Sequence, residues 1–201
     1  MAAYSDGMPS IATRWRSATR RANYARSASG RFSAATSRFR IKLLMNHNVL
    51  DQIRDQLKAA GVAFREVQHE PTRTSEESAA ARGEALHVGA KALLLRTDNS
   101  FRLFVLPADC KLDSSAIRRE LGVKKTRFAT IEELHKLVGL VPGAVPPFGE
   151  PILPFELYAD ETVGAETDKV AFNAGSLTNS IIMAASDWAS VARPIRFRFV
   201  K

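Results

Sequence analysis

The sequence predicts a mixed α/β domain of the α+β type, with a largely antiparallel sheet and short surrounding helices. Three observations carry this. Two apolar runs, Val88–Arg96 and Phe101–Pro107, are separated only by Thr97-Asp98-Asn99-Ser100, which reads as a hairpin with a four-residue connection. Two Thr-x-x-Glu spacings, Thr74/Glu77 and Thr130/Glu133, open short segments that close on Gly83 and Gly139, the pattern of capped helices. There is neither a regular strand–helix–strand alternation nor a GxGxxG, so a parallel dinucleotide-binding sheet is not expected.

The elements follow in order. Asn46 to Ala60 reads as a helix, with Leu50, Ile53, Leu57 and Ala60 on one face, Asp51, Arg54 and Asp55 outward, and Gly61 suited to the position after its end. Val62–Gln68 is strand-like, and the capped Ala-rich segment follows it. Beyond the hairpin, Leu112–Leu121 is a short helix with Asp113 as N-cap and Gly122 after it. The second capping box then opens a helix ending at Gly139. Ile152–Tyr158, Lys169–Asn173 and Thr178–Ala184 read as strands, and Ser186–Ala192 as a helix. Ile195–Val200 is an alternating terminal strand with Ile195, Phe197 and Phe199 on one face and Arg196 and Arg198 on the other.

The formal charge of +8 is not spread over these elements. Residues 1–42 hold eight Arg, Lys42 and one acid, Asp6, so the whole excess lies there, while residues 43–201 carry twenty basic and twenty acidic side chains. Residues 1–45 are therefore set apart as a basic extension, and residues 46–201 as the domain. The extension fits three readings: a mitochondrial presequence, a basic arm with affinity for RNA, or translated upstream sequence with the start at Met45. Cys110 is the only cysteine, which excludes an intramolecular disulfide and a thiolate metal cluster and agrees with a reducing compartment. No apolar run approaches the roughly 18 residues of a membrane span. A cytoplasmic protein is expected, or a mitochondrial one if the extension is a presequence.

Chemistry must then be sought outside the familiar motifs. His47, His69, His87 and His135 lack metal-ligand spacing, and no GxSxG or P-loop occurs. Lys91 stands out: in VGAKALLLR it shares a face with Leu93 and Leu95, so its ammonium must meet an anion, an open pocket or water at the strand mouth. The stretch Gly139–Gly149, GLVPGAVPPFG, has three glycines and three prolines yet is apolar, so it reads as a fixed loop packed on a core or against a ligand, not a solvated linker. Phe172-Asn173-Ala174-Gly175-Ser176 runs from a strand into small polar groups, suited to a turn or a pocket wall. Arg118, Arg119, Lys124, Lys125 and Arg127 form the domain's dense basic patch.

Taken together and in this order, HEPTRTSEESAAARG, GAKALLLR, KKTRFATIEEL, GLVPGAVPPFG and FNAGS resemble the YbaK/ProX family of trans-editing aminoacyl-tRNA deacylases, related to the editing domain inserted in bacterial prolyl-tRNA synthetases. The resemblance runs from about Val49 to the C-terminus. It implies a curved, mixed sheet like that of the YbaK and prolyl-tRNA editing domains, and hydrolysis of the ester joining a wrong amino acid to the 3′ end of a tRNA, with no cofactor or metal. Lys91 matches the family's essential lysine, and Gly143 to Gly149 the loop that frames the aminoacyl group. Pro147, Phe148 and Gly149 are then expected in the pocket wall, with Gly175 and Ser176 closing its far side. Some members carry a histidine near that late motif; this chain has none there. Lys124, Lys125 and Arg127 become the tRNA-contact candidates, and the implied partners are the acceptor end of an aminoacyl-tRNA and an aminoacyl-tRNA synthetase. Two rival readings are a non-catalytic tRNA- or synthetase-binding module of the same fold, and a hydrolase using Cys110.

Overall fold

The computed structural model describes residues 48–201; the readings placed on residues 1–45, and the start of the first helix at Asn46, lie outside the described residues. Helix α1 (Val49–Ala59) begins where the Asn48 side chain accepts the Leu50 amide at 3.2 Å, and it buries Leu50, Ile53 and Leu57. Strand β1 (Phe64–Gln68) is tied back to α1 by the Arg54–Glu66 ion pair. Helix α2 (Ser75–Arg82) has both halves of its capping box and ends on Gly83 in the left-handed conformation. After a 3₁₀ turn at Leu86–Val88, β2 (Ala90–Thr97) and β3 (Ser100–Pro107) pair antiparallel over their whole length. The connection is shorter than expected, because Asp98 adopts a positive φ of 51° and lets Thr97 pair with Ser100.

Helix α3 (Ser114–Leu121) starts two residues later than the apolar pattern suggested. The Asp113 carboxylate accepts the Ser115 and Ala116 amides, while Leu112 bridges to Val200 instead. A short strand that periodicity did not disclose, β4 (Thr126–Phe128), pairs with Leu95–Thr97. Helix α4 (Ile131–Val138) carries the second complete capping box. The strand expected over Ile152–Tyr158 contracts to β5 (Leu157–Ala159): Ile152, Leu153 and Phe155 are buried in turns, so their apolarity reports packing and not pairing. β6 (Lys169–Asn173), β7 (Asn179–Ala184) and α5 (Ala185–Ala192) lie within a residue of expectation. The terminal strand β8 is only Ile195–Arg196; Ile195 is exposed, whereas Phe197 and Phe199 are buried. The Phe199 amide donates to the buried Asp160 carboxylate at 2.5 Å, which fixes the segment without a ladder.

The strands form two sheets, β1-β7-β6, wholly antiparallel, and β4-β2-β3-β5-β8, in which β3–β5 and β5–β8 are parallel. A bridge between Gly89 and Ala171 joins the start of β2 to β6. On its other side Gly89 packs closely on the residue after β3, where a Cβ on Gly89 would lie 2.8 Å from that of Ala108. The main core lies between the sheets and under α1 and α5, through Ile53, Leu57, Leu103, Phe172, Ile181 and Trp188. A second cluster on the other face of β2–β3 joins Leu95, Phe104 and Leu106 to Ile117 of α3 and to Phe199. Lys91 belongs to that second face but sits at the strand's first turn of pleat, where the sheets meet.

Candidate active site

A cavity of about 180 Å³ opens at that junction, lined among others by Ser75 and Arg82 of α2, Lys91 of β2, Gly143 and Val145 of the Pro/Gly loop, and Asn173 at the end of β6. No Asp or Glu lines it, so its charged groups are cationic. Lys91 Nζ donates to the carbonyls of Ala108 at 3.0 Å and Cys110 at 2.6 Å, both just past β3. Those two bonds hold the ammonium and leave its third donor for a ligand. Burial pushes the Lys91 pKa below the ordinary lysine value, against an opposing pull from Cys110, Asp109 and Glu76.

The α2 side is a connected polar network. Ser78 Oγ donates to Thr72 Oγ1 at 2.8 Å, and Thr74 Oγ1 is occupied by its capping bond to the Glu77 amide. The Ser75 hydroxyl makes no hydrogen bond among the described residues. Arg82 is buried without a carboxylate partner: Nε donates to Ser180 Oγ at 2.9 Å, Nη1 to Ala171 O at 3.3 Å and Nη2 to Asn173 Oδ1 at 2.7 Å. Burial pushes its pKa down to about 10, which leaves the guanidinium charged at neutral pH. Ser180 Oγ also donates to Asn173 Oδ1 at 2.9 Å, and His69 Nε2 lies 2.8 Å from the same hydroxyl.

The Pro/Gly loop is strapped across this network. Asn173 Nδ2 donates to the Gly143 carbonyl at 2.9 Å, and the Gly175 amide to the Ala144 carbonyl at 3.0 Å. Gly143 has φ +85°, a conformation side chains resist. In a trans peptide the carbonyl and the following N–H point in opposite directions. With the Ala144 carbonyl turned to Gly175, the Val145 amide is therefore turned away from it. Val145 is buried, lines the cavity, and its amide makes no hydrogen bond among the described residues. A backbone donor that no protein group engages is available to an acceptor that enters beside it.

The residues singled out in the sequence separate on folding. Lys91 and Gly143 line the cavity; Pro147, Phe148, Gly149, Gly175 and Ser176 do not. The Pro147 carbonyl accepts Trp188 Nε1 at 3.0 Å, Phe148 is buried edge-on to Phe172, and Gly149 packs on the backbone of Phe155. Gly175 has φ +79° and faces Val49, where a Cβ would lie 2.7 Å away, so it holds the loop from outside. Ser176 Oγ accepts the Thr178 amide in its own turn. Lys124 and Lys125 lie in a separate cleft at the far end of β2, their amides on the Asp98 carboxylate and their ammonium groups without a partner among the described residues. Arg127 lines that cleft too but is engaged through both terminal nitrogens with Glu133 at 2.6 Å. Burial and then Asp109 push the Cys110 thiol up, the opposite of an activated thiolate. Among the described residues no three His, Cys, Asp or Glu side chains group as metal ligands, and no helix is long and apolar enough to cross a membrane. Neither Arg82 nor Ser75 stood out in the sequence, while Asn173 and Val145 were marked only as members of the Phe172–Ser176 stretch and the Gly143–Gly149 loop, with no role of their own.

Residues 69–191 match the family described as the aminoacyl-tRNA editing domain. The chain is 36% identical over 149 residues to the Multifunctional Ser/Thr-tRNA deacylase ProXp-y of Escherichia coli K12, covering 71% of this chain and 88% of that one. It is 34% identical over 88 residues to the proline–tRNA ligase of Shouchella clausii, 44% of this chain but 15% of the ligase. Among solved structures, a protein described as a proposed trans-editing enzyme for prolyl-tRNA synthetase superposes with a TM-score of 0.67 at 23% identity, over 77% of this chain and 98% of that one.

Proposed function

The chain belongs to the aminoacyl-tRNA editing-domain family, and from that premise we propose that it is a hydrolase that deacylates mischarged tRNA, with seryl and threonyl esters as its substrates. The amino-acid assignment follows the Ser/Thr-tRNA deacylase at 36% identity. The observation that carries the mechanism is the cavity itself: Lys91 and Val145, whose amide no protein group engages, line one space that has no carboxylate in its lining.

An aminoacyl ester is already activated, so water attacks it without a protein nucleophile once the carbonyl is polarised and the parts are held in place. In this reading the Lys91 ammonium holds the acceptor end, and the Val145 amide donates to the ester carbonyl oxygen. Water adds to the carbonyl carbon, the carbonyl electron pair moves to that oxygen, and its charge builds against the Val145 N–H. Collapse breaks the bond to the ribose oxygen, which takes the proton from the added water, releasing free amino acid and a tRNA hydroxyl. With no carboxylate in the lining, the substrate's α-ammonium has no countercharge inside and is directed toward the opening. The unengaged Ser75 hydroxyl is the group available to read a substrate hydroxyl. The ligase match supports a domain that works beside a synthetase; here the editing is assigned in trans, with the synthetase as a partner.

The test is deacylation by the full chain of tRNAs charged with Ser, Thr, Ala, Cys and Pro. Seryl and threonyl esters should be cleaved selectively. Lys91→Ala should lose about 10²- to 10³-fold in kcat/KM while melting as the parent does. Near-parental turnover by Lys91→Ala would sink the assignment, and tight tRNA binding with no hydrolysis of any ester would favour the binding module.

A further inference from the structure

Arg82 is an expensive residue for its position. A guanidinium removed from water costs free energy unless a countercharge meets it, and here neutral oxygens alone do. An apolar side chain of similar volume would fill the same space between α2 and β6–β7 at lower cost. What the charge achieves is the locking of one amide. Asn173 Oδ1 receives two donors, Arg82 Nη2 and the Ser180 hydroxyl, so it stays an acceptor on that side, and Nδ2 must point at the Gly143 carbonyl. A flipped amide would set its NH₂ against two donors, and its oxygen against a carbonyl. The Gly143 carbonyl is the first strap on the loop; the Gly175 amide on the Ala144 carbonyl is the second. The second sets the Ala144–Val145 peptide plane, whose far side is the Val145 N–H, and the first fixes the Gly143–Ala144 peptide from which that plane continues.

We propose that Arg82 is a positioning residue for deacylation, acting through the Asn173 side-chain amide to hold the Gly143–Val145 turn with the Val145 N–H directed into the cavity. The proposal rests on the reading of this cavity as the ester site. Arg82 touches no reacting atom in it. Its contribution appears when charge develops on the carbonyl oxygen, so its removal acts on kcat and leaves KM nearly unchanged.

Asn173→Asp separates positioning from packing. The carboxylate keeps and strengthens the bonds to Arg82 and Ser180, but it cannot donate to the Gly143 carbonyl and repels it. The expected result is a melting temperature equal to or above that of the parent, with kcat for seryl-tRNA down about 10²-fold and KM within about 3-fold. Arg82→Met should fall comparably in kcat, and Arg82→Lys, which keeps a charge without the fork, should fall less. Parental kcat in folded Asn173→Asp overturns the proposal, as does an Arg82→Met protein that loses stability alone. Should Asn173→Asp fail to fold, Ser180→Ala removes one of the two donors on Oδ1; a kcat loss of about 3- to 10-fold at constant KM is expected, and unchanged kcat overturns the relay. If Lys91→Ala is inactive while Asn173→Asp is not, the relay is wrong and the site stands. If the parent chain deacylates nothing, both fall.

Discussion

Lys91 shows how a single residue is tuned by where its strand begins. In the place of Leu95, four residues further along the same face of β2, it would meet the packed cluster that holds Ile117; at the sheet junction its stem is covered and its ammonium meets two carbonyls. Desolvation dominates its titration and lowers the pKa from the ordinary 10.5. The unfolded chain therefore holds more protons than the folded one between the depressed value and 10.5, and in that window stability rises with pH. Activity moves the other way, because the proposed role needs the ammonium. We expect kcat/KM, after subtraction of the rate of Lys91→Ala, to fall with an alkaline limb below the ordinary lysine range. A limb at or above 10.5 would mean that the cavity does not desolvate Lys91.

The elements around the site divide into those that carry it and those that only fold, and the two capped helices test the division. Thr74 and Thr130 make the same capping box, each accepting the amide three residues on at 3.1 Å. Either Thr→Ala change should cost about 1 kcal/mol in denaturant unfolding. Only Thr74→Ala should also lower kcat, because α2 brings Ser75, Ser78 and Arg82 to the cavity and α4 brings nothing. Equal kcat in the two variants would detach α2 from the chemistry. The caps themselves were legible in the sequence, since Thr-x-x-Glu and a closing Gly are local signals with local causes. So was the β2–β3 hairpin, and so was the oddity of Lys91. What could not be read was pairing and packing at a distance. The parallel places of β5 and β8 leave no periodic trace in three- and two-residue strands. The turns of Ile152–Phe155 mimic a strand because burial, not pairing, selects their side chains. Arg82 looks like any basic residue in a helix's last turn. Its meaning depends on Asn173 and Ser180, some ninety residues away.

At the scale of the molecule the question is how a net-neutral domain engages an anionic substrate. The cavity and the basic cleft lie at opposite ends of β2: from Lys91 to Arg96 the strand advances about 16 Å, at roughly 3.3 Å per residue. A nucleic-acid strand with its 3′ end in the cavity can run along the sheet edge toward Lys124 and Lys125, whose backbone is pinned to the hairpin turn through Asp98. Arg127, saturated by Glu133, has little left to offer a phosphate. That pair also holds the Glu133 carboxyl down at about 2. The three residues should then behave differently. Lys124→Ala/Lys125→Ala should raise KM several-fold with kcat unchanged, and should flatten the dependence of log KM on log salt by about 1.5, near the counterion release of two phosphate contacts. Arg127→Ala should leave KM and its salt slope close to the parent's. Because parent and variants carry the same excess of +8 in residues 1–42, differences between slopes isolate the cleft. An unchanged slope in the double variant would place the tRNA path elsewhere on the domain, and a large effect of Arg127→Ala alone would show that substrate breaks the Glu133 pair on binding.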